Sequence, residues 1–258
     1  MRSNRLAAGL SAAVLTGAAL LGTVAAAAGA GALTASGIIP PKNPARSLPP
    51  APFSPGSGPC TGGNDGAACN ELAVRAVDRA RTMLEHIPGL SFSLGAYRKM
   101  TPAEQLFVTV NLERTERGLR PVWELSRALD TVAQTGANDD TDPPLNQVPD
   151  PLPGGGHWSS LGGNWAGGWI NALGADYAWM YDDGGSGWGH RDNILGSYAG
   201  QAACGGGPSV IAMGAGHVTS GRAYGDSETE LVAGVCGPAP TDAVLTWNQA
   251  RKRLGITG

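Results

Sequence analysis

SVIAMGAGHVTSGRAYGDSETELVAGVC, residues 209–236, holds two apolar runs on either side of a glycine-rich polar interval. Residues 209–216 and 228–236 have the length and side chains of strands, and residues 217–227 have the Gly, Ser and Asp content of a turn region. An antiparallel pair folded on that interval turns near residue 222, and Cys204 and Cys236 are symmetric about residue 220. The hairpin therefore predicts that these two cysteines meet. Cys60 and Cys69 are left to close a short loop at the N-terminal border of the domain, and each bridge contributes about 2–4 kcal/mol.

Upstream of the hairpin the periodicity is helical. Residues 70–87 place Ala73, Ala76, Val77, Ala80, Met83, Leu84 and Ile87 at three-or-four spacing on one face, and Pro88-Gly89 ends the run. Thr101 as N-cap, Pro102 at the first helical position and Glu104 three residues after Thr101 predict a capping box, with the helix running to Arg117 and stopping at Gly118. Ser126 is the expected N-cap of a third helix that buries Leu129, Val132 and Ala133 and ends at Gly136. Residues 177–180 suggest a fourth, just before Asp182-Asp183-Gly184-Gly185. Helices first and a strand pair last predict an α+β fold and not a parallel βαβ array.

The remainder of the chain sets the setting. Residues 6–33 carry no charge and follow Arg2 and Arg5, which is the pattern of a secretory signal; the Ala and Gly richness favours a cleaved leader (residues 1–33) over a retained anchor. Residues 34–59 are proline-rich and read as a semi-extended linker. An even set of four cysteines without C-x-x-C spacing suits an oxidising compartment, secreted or at the cell envelope. A net charge of −3 with 15% charged residues argues against nucleic acid as a partner. About 200 residues remain after the leader and linker, enough for one domain.

Four short motifs then resemble one family. Asn111-Leu112-Glu113-Arg114 with Gly118-Leu119-Arg120-Pro121, the segment Gly162-Gly163-Asn164-Trp165-Ala166-Gly167, the segment Gly189-His190-Arg191-Asp192-Asn193-Ile194-Leu195, and Met213-Gly214-Ala215-Gly216 are similar, in this order, to motifs of the CAP superfamily, also called SCP-like. The wording is closest to secreted actinobacterial members. The resemblance implies a three-layer α-β-α sandwich over residues 101–258, preceded by an extra helical extension at residues 60–100. It also implies a cavity with two histidines and two acids, and here the chain departs from the family. The Glu of the "G-E-N" motif is Gly163, and the first histidine is missing from residues 137–142, which read ANDDTD. His190 matches the remaining histidine. A complete metal tetrad is not expected, and neither a metal nor another cofactor is assigned.

Several residues are candidates for what the cavity retains. Asp182 and Asp183 lie seven or eight residues before His190 and either orient the imidazole or simply form the turn before Gly184-Gly185. His157 follows three glycines and is either an exposed loop histidine or a replacement brought to the cavity. Asp139, Asp140 and Asp142 supply carboxylates near the vacant histidine position or form a solvated loop; counted from Asn138 they fail the calcium-loop pattern, with Pro143 and Pro149 at the sixth and last positions. No G-x-S-x-G occurs, since Ser186 is followed by Gly187-Trp188, and no H-x-x-x-H or H-E-x-x-H zinc pattern occurs either. Trp158, Trp165, Trp169, Tyr177, Trp179, Tyr181 and Trp188 are concentrated among glycines, as binding anchors or as filling for a Gly- and Ala-rich core. The expectation is a binding module for a cell-wall glycan, a lipid or an extracellular protein, lined by His157, Asn164, Trp165 and Trp188, without a membrane span after processing. The alternative is a hydrolase using His190 with Asp182 or Asp183.

Overall fold

The hairpin is longer than its apolar runs. Strand β3, Ser209–Gly221, pairs antiparallel with strand β4, Gly225–Cys236, and Ser209↔Cys236, Met213↔Val232 and Val218↔Ser227 share one register. The interval expected as a turn is therefore mostly strand, closing only between Gly221 and Gly225. Two of its polar residues, Asp226 and Ser227, are buried, and so are Glu228, Thr229 and Glu230 of the run that follows. The Cys204–Cys236 bridge forms beside this register with its Cα atoms 5.2 Å apart, and Cys60–Cys69 forms with 4.9 Å.

The structure, a computed structural model, describes residues 41–48, 60, 66–169, 171–196, 198, 203–207, 209–221 and 223–256. The leader expected over residues 1–33 lies outside the described residues. Among the described residues no helix is long and apolar enough to cross a membrane.

Five strands form one mixed sheet in the order β2-β4-β3-β1-β5, with β1 (Glu124–Ser126) parallel to β3 and the other pairs antiparallel. Strand β2, His157–Gly167, is one edge, and β5, Ala243–Thr246, the other. Alternation along β3 and β4 splits the apolar side chains between two faces. Ile211, Met213, Ala215 and Val232 join the large core formed with helices α1 (Ala67–Ala80), α2 (Leu94–Tyr97), α3 (Pro102–Thr115) and α5 (Ala172–Tyr181). Ala212, Leu231, Ala233 and Val235 pack instead with Leu129, Val132 and Ala133 of helix α4, Arg127–Asp139. The fold is α+β, with helices on both faces of the sheet.

Glycine sets how closely α4 approaches. A Cβ at Gly214 would lie 2.1 Å from the Leu129 backbone and one at Gly216 would lie 2.6 Å from the Ala133 backbone. The Met213-Gly214-Ala215-Gly216 motif is thus small residues on the α4 face alternating with core residues on the other.

Local helix signals hold with four revisions. The capping box at Thr101 and Glu104 forms as the residues predict, but its helix ends at Thr115 and not at Arg117. The first helix spans Ala67–Ala80 and widens into a π turn, Arg81–Glu85, where Arg81 is fully buried and donates to the Pro88 carbonyl and the Glu113 carboxylate. Ser126 is the N-cap residue of α4, but its hydroxyl donates to Asp242, whose carboxylate accepts the Ala128 N–H; the cap comes from a distant residue. Helix α4 also continues past Gly136 to Asp139. Part of the linker is docked: Leu48 and Pro44 are buried, and Leu48 N–H donates to the Tyr181 carbonyl at 2.7 Å. The fourth predicted helix is α5, and residues 184–186 make a 3-10 turn leading to α6, Gly189–Leu195.

Candidate functional site

Edge strand β2 presents outward-facing backbone groups, and three side chains cover them. Asn193 of α6 donates to the Gly163 carbonyl at 2.9 Å, Trp179 of α5 donates to the Trp165 carbonyl at 3.1 Å, and the Asp142 carboxyl is near enough to the Trp165 N–H for that dipole to lower its pKa. These residues come from helices of one face and from the loop after α4 on the other. The edge of β2 is where the two sides of the sheet meet, and His190 lies there.

Asp183 assembles the imidazole. Its Oδ1 lies 2.6 Å from His190 Nδ1, and its Oδ2 accepts the His190 N–H at 3.0 Å and the Arg191 N–H at 3.4 Å. Asp183 is 4% exposed at its side chain and His190 is 29% exposed, so the carboxylate is behind the ring and the ring reaches solvent. A carboxylate on Nδ1 fixes that nitrogen as the donor and leaves Nε2 available. Burial disfavours the imidazolium, but the hydrogen bond and charge of Asp183, with the charge of Asp142, outweigh it and raise the His190 pKa above the ordinary value. Asp182 does not reach the ring; burial and the adjacent Asp183 charge raise its own pKa.

The loop before α6 is built around that pair. Gly187 and Trp188 are both left-handed, with φ of 71° and 68°. A bulky residue rarely adopts this conformation, and its cost is held by a Trp188 side chain that is only 9% exposed. Trp188 is therefore a buried post of the loop and not a ligand-facing ring. Ser186 Oγ hydrogen-bonds to Asp183 Oδ1 and lies 3.4 Å from His190 Nδ1. A serine nucleophile must stand at the nitrogen opposite the orienting acid. Here hydroxyl and carboxylate share one nitrogen, so Ser186 steadies Asp183 and is not a triad nucleophile.

Asn164 is fully buried and locks α6 to the strand. Its Nδ2 donates to the His190 carbonyl at 3.0 Å and to Glu230 Oε1 at 2.7 Å, while its Oδ1 accepts from Asn193 at 2.8 Å. It holds the site without facing a ligand, contrary to its expected place in the cavity lining. Glu230 is fully buried and burial raises its carboxyl pKa to about 8, although Arg114 and the Asn164 hydrogen bond act in the opposite sense. Arg114, from the Asn111-Leu112-Glu113-Arg114 motif, donates to the Ile194 and Gly196 carbonyls at 2.6 and 2.9 Å and so closes the far end of α6. Arg191 donates to the Met180 carbonyl and to Glu85, joining α6 to the turn after α1.

Asp142 reaches the neighbourhood of His190 from the loop after α4. Thr141 and Pro143 fold back over α4 because Gly136 has no side chain: a Cβ there would lie 2.9 Å from Pro143 Cα and the Thr141 carbonyl. Pro143 in turn lies over Gly163, where a Cβ would sit 3.1 Å from its ring. Two glycines thus admit the loop that carries Asp142. Its carboxyl is raised by burial, offset by His190 and by the Trp165 N–H. Asp140, one of its neighbours, serves the hairpin and accepts the Ala223 N–H at 2.6 Å.

The aromatic residues divide. Tyr177, Trp179 and Tyr181 are at most 1% exposed and belong to the core. Trp165 donates from Nε1 to Ser227 and packs edge-on against Tyr224 at 5.3 Å between centroids, and Tyr224 is 45% exposed at the hairpin tip. A Cβ at Gly167 would lie 2.7 Å from the Trp165 ring and 2.9 Å from that of Tyr224, so the strand has to be bare beneath them. Tyr224 carried no sequence signal beyond a turn region. His157 does not join His190. It is 65% exposed, bonded to Asp150 at 2.8 Å, and stands opposite Cys236 at the start of β2, seven residues or roughly 20 Å from Asn164. Trp158, 37% exposed, is at that same distant end. Among the described residues no three His, Cys, Asp or Glu side chains converge to hold a metal ion.

No protein-family model matches the chain, and comparison with curated proteins and with solved structures found no match.

Proposed function

We propose that this chain is a CAP-type domain, exported to the cell envelope or beyond it, that binds a cell-wall glycan along the edge of β2. The observation that carries the proposal is the β2 edge itself: the His190 carbonyl accepts from Asn164, and the next residue of the strand, Trp165, packs its ring against the exposed Tyr224, with the charge of Asp142 bearing on His190. An aromatic face next to a carboxylate and an imidazole suits a pyranose ring, whose C–H face packs on an aromatic and whose hydroxyls need both donors and acceptors. A lipid tail would need an apolar channel, and the groups at this edge are polar and partly exposed. Two disulfides support an oxidising destination. The order of the four motifs, with helices on both faces of the sheet, supports the CAP assignment.

The test is a thermal-shift screen against soluble peptidoglycan oligosaccharides, phospholipids and divalent ions. A ligand that binds only the folded chain raises its melting temperature. The proposal expects saturable stabilisation by the oligosaccharides alone. Stabilisation confined to lipid or to metal would refute it.

A second reading, hydrolysis, is favoured by one observation: Asp183 holds Nδ1 and leaves Nε2 open, as a general base acting on water requires. It predicts turnover of the bound glycan that disappears in His190→Ala. Binding without any turnover decides for the module.

A further inference from the structure

We propose that residues 43–48 are a positioning strap that grips both halves of the Asp183–His190 pair, so that a segment ahead of the first helix sets the state of the imidazole. The tract reads as linker, yet it makes three separate attachments. At its C-terminal end Leu48 hydrogen-bonds through both backbone groups, its N–H to the Tyr181 carbonyl and its carbonyl to the Tyr177 hydroxyl. One residue earlier, Ser47 Oγ accepts the N–H of Gly184 at 2.8 Å, and Gly184 directly follows Asp183. At the other end, Asn43 Nδ2 donates to Asp192 Oδ1 at 3.0 Å, two residues beyond His190 on α6.

The spacing matters more than the count of bonds. Asp183 is on the loop after α5 and His190 is on α6, and the link between them runs through a turn with two consecutive left-handed residues. Such a turn costs conformational energy and persists only where its surroundings hold it. A short extended segment fixed to the residue after Asp183 and to the first turn of α6 spans that link from outside. Close approach is built in, since a Cβ at Gly184 would sit 2.7 Å from Ser47 Oγ. The charged groups bearing on the ring are Asp183 from the loop and Asp142 from the far side of the sheet edge. Of these two acids only Asp183 has a strap contact beside it, and the Asn43 contact holds α6, so release of the strap loosens the Asp183–His190 contact.

The inference rests on the Asp183–His190 pair and not on the ligand, so glycan binding can fail while the strap stands. The experiment is an NMR titration of the His190 ring nitrogens in the oxidised full chain, compared with N43A/S47A, Ser47→Thr and Gly184→Ala. The double variant is expected to lower the His190 midpoint by about half a pH unit or more toward the ordinary histidine value and to weaken the downfield Nδ1–H resonance. Ser47→Thr keeps the hydroxyl and restores the wild-type midpoint, whereas Gly184→Ala displaces Ser47 from the other side and reproduces the loss. A role in general stability would lower the melting temperature without moving the midpoint. An unchanged midpoint in both N43A/S47A and Gly184→Ala overturns the proposal.

Discussion

Asp183 and His190 are bonded twice, carboxylate to ring nitrogen at 2.6 Å and carboxylate to backbone N–H at 3.0 Å. The same acid therefore starts helix α6 and orients the side chain at its second residue. Asp183→Asn keeps an acceptor for the backbone but removes the charge from the ring. A folded-state pKa raised above the unfolded one stabilises fully below the unfolded value near 6.5 and loses that contribution as pH rises through the folded value. Wild type should exceed Asp183→Asn by roughly 1.5–3 kcal/mol in the acidic range, the worth of a hydrogen bond to a charged group, with the gap narrowing above neutral pH. Denaturant unfolding at pH 5.5 and 8.5 reads both numbers, and a gap that widens with pH would contradict the assignment.

The motif around His190 should separate on mutation. Ile194 and Leu195 are 0% and 1% exposed, and truncating either to Ala should cost about 2–5 kcal/mol. His190→Ala removes a partly exposed ring and should cost much less while abolishing the ligand response. Equal destabilisation by His190→Ala and Leu195→Ala, with binding intact, would make the imidazole a structural post.

At Gly136 two effects oppose each other. Alanine favours a helix interior by about 1 kcal/mol over glycine. Its Cβ would meet Pro143 and Thr141 backbone at 2.9 Å, and overpacking against backbone costs about 1–3 kcal/mol. Gly136→Ala should therefore be destabilising and should displace the loop that carries Asp142. Stabilisation, with the His190 titration midpoint the same as in wild type, would show that the loop does not depend on this glycine.

Glu230 gives a pH dependence of its own. Its carboxyl holds a proton to about pH 8 in the folded chain, while the unfolded group ionises near its ordinary 4.5. Across that window the folded state binds the extra proton, so stability falls as pH rises. Glu230→Gln retains an acceptor for Asn164 and removes the ionisable group. The variant should gain on wild type, by on the order of a few kcal/mol, between pH 5 and pH 9. Parallel pH profiles for the two proteins would refute the buried protonated state.

Much of the frame is legible because it is local. The capping box at Thr101 depends on residues three apart, and the pairing of Cys204 with Cys236 follows from the symmetry of one hairpin. The extent of β3 and β4 is less so, since residues 217–221 and 225–227 are polar and glycine-rich and still extend the ladder. Strand β2 is hidden by its glycines, which are there to let Asn193, Tyr198 and Pro143 approach. The sequence places Asp182 and Asp183 on equal terms; the choice of Asp183 comes from the turn geometry. Asp142 reaches the site through bare backbone at Gly136 and Gly163, a relation that no spacing rule expresses. The aromatic cluster is ambiguous in sequence because core filling and ligand anchoring use the same side chains, and burial alone separates Trp179 from Trp165.

The most direct measurement is calorimetric titration of the oxidised chain with a peptidoglycan oligosaccharide, repeated with Tyr224→Ala, Asp142→Asn and His190→Ala. Tyr224 is exposed and hairpin-tip, so its truncation leaves the core intact. The account predicts saturable binding that each variant weakens tenfold or more, about 1.4 kcal/mol apiece, with His157→Ala at the far end of β2 binding as wild type. Saturable binding that the three variants leave unchanged, or that His157→Ala removes, would place the site elsewhere and contradict the account.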